Sequence, residues 1–379
     1  MKTDLAPTLY ETIDSSVVLW FGVSNQYVVI PKFSFYLLQI FLAADSSKQF
    51  IANLFEDESI NQDEALEIEQ RFSWLLQESN KIPPAQNNKV TLSNPIKPSS
   101  QNSVICNYSI GSQTISVNYN SKLIADYFHP QLEHLLDKKS NNSGIIFNIF
   151  YHDNYLYLYR KGELIYNCES KNYHLIQGAF AMELTNVIHA QTDDNWLASF
   201  HASTLSFADR EAIMLVGASG NGKSTLSALL IANGLVLMAD DFTPLNSENC
   251  HIYSFPNAIS IKQGAFKTLQ KDYGNIDELK IYSKNDNAIK YLSSGKEWNK
   301  SAKHLPCNKI ILVEYNNQNG NFFNTCGCET ILETLIPDSW ISKEPEHAKK
   351  VLNWLKKAEF YKLQYSDNDF AIRSVKSLL

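Results

Sequence analysis

Gly217-Ala218-Ser219-Gly220-Asn221-Gly222-Lys223-Ser224 fits the pattern G-x-x-x-x-G-K-[ST] without a mismatch. Glycines at 217, 220 and 222 carry no Cβ to hold a phosphate chain off the loop. Successive N–H groups can therefore turn inward, beside the partial positive charge of a helix N-terminus. Lys223 supplies a point charge for β- and γ-phosphates, Ser224 offers a hydroxyl to Mg2+, and Thr225 extends the binding set. Asp240 and Asp241 close the next apolar run. One carboxylate can hold Mg2+, directly or through water, and the other can take a proton from an attacking hydroxyl. Adjacent carboxylates repel, so whichever is less tied to the metal is the better base. His201, a little upstream of the loop, is a candidate to tune that pair. These residues predict a site that holds ATP and Mg2+.

The elements that must position them are short. Ala212–Val216 is an apolar run of the kind expected for a strand buried on both faces. From Ser224 to Asn233 the residues favour a helix, with Leu226, Leu229, Leu230 and Ile231 on its apolar side. Gly234 sits where a left-handed residue would stop it. Leu235–Ala239 reads as a second strand, which the right-handed crossover rule returns beside the first and so brings the Asp pair near the phosphates. If Leu197–Ser206 pairs with Ala212–Val216, His201 comes within reach of the carboxylates.

The chain has 379 residues, enough for two or three domains with sizeable cores. A net charge of −7 argues against a general nucleic-acid-binding face, because phosphate contacts need clustered Lys and Arg. No apolar run reaches the ~18–20 residues of a membrane span, and the first residues lack the apolar core of a signal peptide. Six cysteines are sparse and irregular; Cys326-x-Cys328 is too close for the usual metal-knuckle spacing. Reduced thiols in a cytoplasmic protein are the expectation.

Four segments are predicted. Residues 1–82 read as a small winged-helix-like α+β module: a hairpin at Val17–Val23 and Tyr27–Ile30, then helices at Phe33–Leu42, Gln49–Leu54 and Asp63–Glu78. Residues 83–101, rich in Pro, Asn and Ser, form a linker. Residues 102–205 are β-rich, with a helix at Pro130–Lys138 and another at Phe180–Gln191; alternating tyrosines from Tyr151 to Tyr159 read as a packed sheet face. Residues 206–379 form the α/β nucleotide-binding domain. Within it, Lys271–Lys303 is a polar excursion.

The string His201-Ala202-Ser203, the glycine-rich loop and Ala239-Asp240-Asp241 together resemble the catalytic core of HPr kinase/phosphorylase. The resemblance implies an HPr kinase/PEP carboxykinase-like P-loop core that phosphorylates a Ser or Thr hydroxyl of a peptide or protein. His201 then joins the site, and the Asp pair serves as base, or as acid in the reverse reaction. Related kinases assemble into oligomers, so a homo-oligomer is implied too. Phe255–Lys262 and Tyr361–Asp367 are similar to HPr-kinase-like proteins found beside peptide-modification enzymes. The N-terminal module, around Tyr27–Pro31 and Phe35–Leu42, resembles the PqqD-like peptide-recognition fold. That implies a precursor peptide bound by residues 1–82 as an added strand. The glycine-rich signature that HPr kinases carry downstream of the Asp pair is absent.

Other readings fit less well. Leu292–Lys296 with Ile310–Glu314 faintly resembles transporter-type ATPases, but Val313 stands where Mg2+ would need an Asp, and Pro306 interrupts the joining helix. Asn308-Lys309 lacks the Asp of guanine recognition. The remaining alternative to a kinase is a non-catalytic, nucleotide-switched chaperone that delivers a peptide to other modification enzymes. The intact Asp pair favours the kinase, since a pure binding module needs no base.

Overall fold

Two neighbouring parallel strands, Glu211–Val216 and His304–Tyr315, lie in the middle of a ten-stranded mixed sheet. Their side chains alternate between two layers. Ile213, Leu215, Ile311 and Val313 face helices Lys223–Ala232 and Asn368–Lys376. Ala212, Met214, Val216, Ile310 and Leu312 face helices Cys328–Leu335 and Pro345–Lys356. Strands covered on both faces need the near-continuous apolar runs that these have. The structure, a computed structural model, describes residues 2–54, 61–82, 103–137, 144–284, 287–293, 302–316 and 320–379.

The strand order differs from the crossover expectation. Val236–Ala239 does not lie beside the loop strand; it pairs with Ser203–Phe207, which itself pairs with Glu211–Val216. The cause is a hairpin closed at Ala208 and Asp209, both at positive φ (51° and 52°). Its first strand fills the slot that the crossover would otherwise take. The single strand expected over Leu197–Ser206 also breaks, at His201-Ala202. Trp196–Phe200 runs off to pair with Thr243–Asn246 in the other half of the sheet.

The N-terminal residues form a three-stranded meander, Leu9–Ile13, Ser16–Phe21 and Gln26–Pro31, one strand more than the predicted hairpin. Helices Lys32–Ala43, Ser47–Leu54 and Gln62–Ser79 follow, the last with an Asn61–Glu64 capping box. Ser16–Phe21 is buried along its whole length. Val17, Leu19 and Phe21 face the unit's own helices, while Val18 and Trp20 join Ile13 in the core of the large sheet, with Phe200 and Leu332. This unit is therefore not self-contained. Asn25 Nδ2 also donates to the Ile341 carbonyl (2.8 Å), and Lys356 pairs with Glu11 (2.7 Å). The predicted linker, 83–101, lies outside the described residues.

A five-stranded sheet follows in chain order: Val104–Ile110, Gln113–Tyr119, Ile145–His152, Tyr155–Arg160 and Glu163–Glu169. Helix Tyr173–His189, longer at its start than predicted, covers one face. On the other, Tyr157 and Tyr159 pack with Phe150. The helix predicted over Pro130–Lys138 is absent up to residue 137. Ser121 instead caps a helix at Lys122–Phe128, and 3-10 turns follow at His129–Gln131 and Glu133–Leu135. The polar excursion is partly built: Asn287–Leu292 pairs with Ile259–Lys262 on one side and Tyr282–Lys284 on the other, in a small sheet. Leu269, Ile276 and Leu292 anchor it on Ala228 and Leu229 of the helix that follows the glycine-rich loop. Among the described residues no helix is long and apolar enough to cross a membrane, and all six cysteines are free.

Candidate active site

The glycine-rich loop leaves the strand Glu211–Val216 and enters the helix Lys223–Ala232. Gly217, Gly220 and Gly222 have φ of 154°, 95° and 87°, a region L residues rarely occupy. Gly217 is also confined by space, since a Cβ there would stand 2.7 Å from the Val313 carbonyl oxygen. Lys223 is buried and donates from Nζ to the Gly217 carbonyl at 2.5 Å, folded back across the loop. Burial lowers its pKa from the ordinary value, opposed by the charges of Asp241 and Asp240.

The two aspartates meet the loop in different environments. Asp240 is fully buried. Its Oδ1 accepts from Ser203 Oγ, and its Oδ2 lies 3.5 Å from Ser224 Oγ. Asn257 brackets its backbone, with Nδ2 donating to the Asp240 carbonyl (2.5 Å) and Oδ1 accepting from its N–H (3.4 Å). Burial, then the neighbouring Asp241 charge, push the Asp240 carboxyl up to about 8, against the pull of Ser203 and Lys223. Asp241 sits at φ 60° and turns out to the cavity. Its Oδ2 accepts from Ser260 Oγ (3.3 Å), and its Oδ1 lies 3.8 Å from His201 Nε2. Both partners are about two-fifths exposed (39% and 41%).

A cavity of about 480 Å³ joins these groups, lined by His201, Ala218, Ser219, Gly220, Gly222, Lys223, Ser224, Thr225 and Asp241. Asn221 anchors the wall from behind, its carbonyl accepting from Tyr315 N–H (3.2 Å). Of the predicted residues, Gly217, Asn221 and Asp240 do not line the cavity; Asp240 still comes within hydrogen-bonding range of Ser224, which does. Sequence reasoning did not assign Ser203, Asn257, Ser260, Lys262, Tyr315, Tyr365 or Asn368 to the site. Lys262 Nζ donates to Ser219 Oγ (3.0 Å) and closes one side of the mouth. A signal existed for two of these: in Ile259-Ser260-Ile261-Lys262 the apolar residues are buried, so alternation turns Ser260 and Lys262 to the opposite face.

The donor set is oxygen-only where Asp240 meets Ser224, which suits a hard cation. Among the described residues no three His, Cys, Asp or Glu side chains converge as ligands. A Mg2+ held here would complete its shell with phosphate oxygens and water.

No family model and no curated protein matches the chain. Among solved structures, the Hpr(Ser) kinase/phosphatase from Coxiella burnetii is similar over 48% of this chain and 95% of that one, at 14% identity and a TM-score of 0.25. A likeness of that size decides neither fold nor chemistry.

Proposed function

We propose that this chain is an ATP- and Mg2+-dependent kinase that moves the γ-phosphoryl group to a Ser or Thr hydroxyl of a peptide or protein. The observation behind this reading is the unequal placement of two adjacent carboxylates. Asp240 lies under the loop, between Ser203 and Ser224, while Asp241 faces the cavity beside His201. The buried one, with Ser224, would hold Mg2+; the open one would take the acceptor's proton. Bound Mg2+ would neutralise charge on the β- and γ-oxygens. Lys223 exchanges the Gly217 carbonyl for a phosphate oxygen, and the loop N–H groups stabilise charge on the transferring group. His201 steadies Asp241 as it gains the proton. The resemblance of residues 1–82 to peptide-recognition domains extends the proposal to a precursor peptide as acceptor.

The test uses the full chain with γ-labelled ATP, Mg2+ and candidate peptides. Asp241→Asn is expected to lower label transfer by about 10²-fold or more while ATP binding stays within about threefold. Undiminished transfer in that variant would refute the assignment. Tight ATP binding with no transfer to any acceptor would favour the chaperone alternative.

A further inference from the structure

The cavity has two unlike ends, and the sheet order separates them. The Asp pair follows Val236–Ala239, on one side of the loop strand. On the other side, His304–Tyr315 and Glu359–Tyr365 end in Tyr315 and Tyr365, which line the same cavity. Tyr315 N–H donates to the Asn221 carbonyl (3.2 Å) and Asn316 N–H to the Tyr365 carbonyl (2.9 Å), so both strand ends are tied to the loop or to each other. A Cβ on Gly222 would lie 3.0 Å from Tyr365 Oη and 3.1 Å from Tyr315 Cβ. The rings thus abut the end of the loop where the helix begins. Tyr365 is buried and stands edge-on to Tyr315, centroids 5.4 Å apart. Tyr315 itself remains 46% exposed.

We propose that Tyr315 is the platform on which the base of the bound nucleoside triphosphate stacks, with Tyr365 fixing its ring and Asn368 lining the same end. The inference rests on the nucleotide reading above. A triphosphate laid along the loop with its terminal phosphate at the acids carries its nucleoside toward the opposite end. There an aromatic ring is held rigidly from behind and left open in front. What sets Tyr315 apart from other exposed rings is its place: it lines the cavity beside Gly222, where the loop becomes the helix. Stacking needs a ring face and not a hydroxyl, and every base has one.

Isothermal titration of the full chain with Mg·ATP and with Mg·tripolyphosphate tests this. Tyr315→Ala is expected to weaken Mg·ATP about tenfold, Tyr315→Phe to retain it within about twofold, and both to leave Mg·tripolyphosphate unchanged. Unaltered Mg·ATP affinity in Tyr315→Ala would overturn the platform. So would equal weakening of both ligands, which would mean that the ring only props up the loop. Wild-type protein that binds neither ligand would instead overturn the nucleotide reading, and the platform with it.

Discussion

Asp240→Asn should make the ligand-free protein more stable, and increasingly so as pH rises. The carboxyl is fully buried beside a second carboxylate, and these two causes raise it from an ordinary 3.8 to about 8. The folded state therefore keeps a proton that the unfolded chain releases above its ordinary value. Between about pH 4 and pH 8 the native state binds more protons than the unfolded one, so stability falls as pH rises through that window. Below it both states are protonated, and above it both are ionised, so the curve is flat. At about 1.4 kcal/mol per pH unit the ceiling is about 6 kcal/mol; relaxation of the buried site and water penetration around the ionised carboxylate reduce the usable part to about 3 kcal/mol. An Asn can accept from Ser203 through Oδ1 and offer Nδ2 to Ser224, so the neutral hydrogen bonds survive. Urea unfolding with chelator present, at steps from pH 5 to 8.5, measures the gap. It should widen from near 1 kcal/mol to about 3 kcal/mol in favour of the variant. Parallel curves, or a variant less stable at pH 8, would refute the claim that burial holds this carboxyl protonated.

Gly217→Ala should cost about 2–3 kcal/mol, because its Cβ would stand 2.7 Å from a backbone oxygen at φ 154°. Gly220→Ala, strained at φ 95° but with nothing within 4 Å, should cost about 1 kcal/mol. Thermal unfolding compares the two, and equal losses would contradict the close approach at Val313. Trp20→Ala should cost about 3–5 kcal/mol, since this side chain is 1% exposed in the core shared with Phe200. Hydrogen exchange should then quicken in Trp196–Phe200 as well as in the meander. Quickening confined to residues 9–31 would argue against a shared core.

Much of the layered core was legible because burial on two faces leaves a plain mark. The runs at 212–216 and 309–314 lack alternation, and both strands are covered on both sides. The same mark was present at Ser16–Phe21, whose unbroken apolar run called for two packing partners. The helices of its own unit supply one and the large sheet the other. Reading residues 1–82 as a module of their own hid the fusion. The helix at Pro130–Lys138 failed for a local reason. Ser121, whose side chain accepts from Ile124 N–H, starts the helix earlier, and a Pro following His129 ends it. The loop itself was legible because its glycines answer a backbone requirement, three positions at positive φ within one turn. Alternation in Ile259–Lys262 marks the face that Ser260 and Lys262 take, but not what that face meets. For Tyr315, at the end of a strand far along the chain, no local pattern reports the neighbour.

The interposed strand accounts for what makes the acid pair unequal. Had Val236–Ala239 returned directly beside Glu211–Val216, Asp240 would face the loop with no third strand to supply a hydroxyl. Ser203–Phe207, lodged between them, brings Ser203 Oγ onto Asp240 Oδ1, while Ser224 Oγ lies by the other oxygen, Oδ2. His201 is carried by the same segment: the break at His201-Ala202 lifts the imidazole out of the sheet and leaves it 3.8 Å from Asp241. One departure from the simple crossover thus buries one carboxylate and gives the other a partner at the mouth. Since adjacent residues in an extended chain point to opposite sides, a consecutive pair of acids at a strand end is the economical way to furnish both positions. The left-handed turn at Asp241, φ 60°, then angles the second acid back toward the loop.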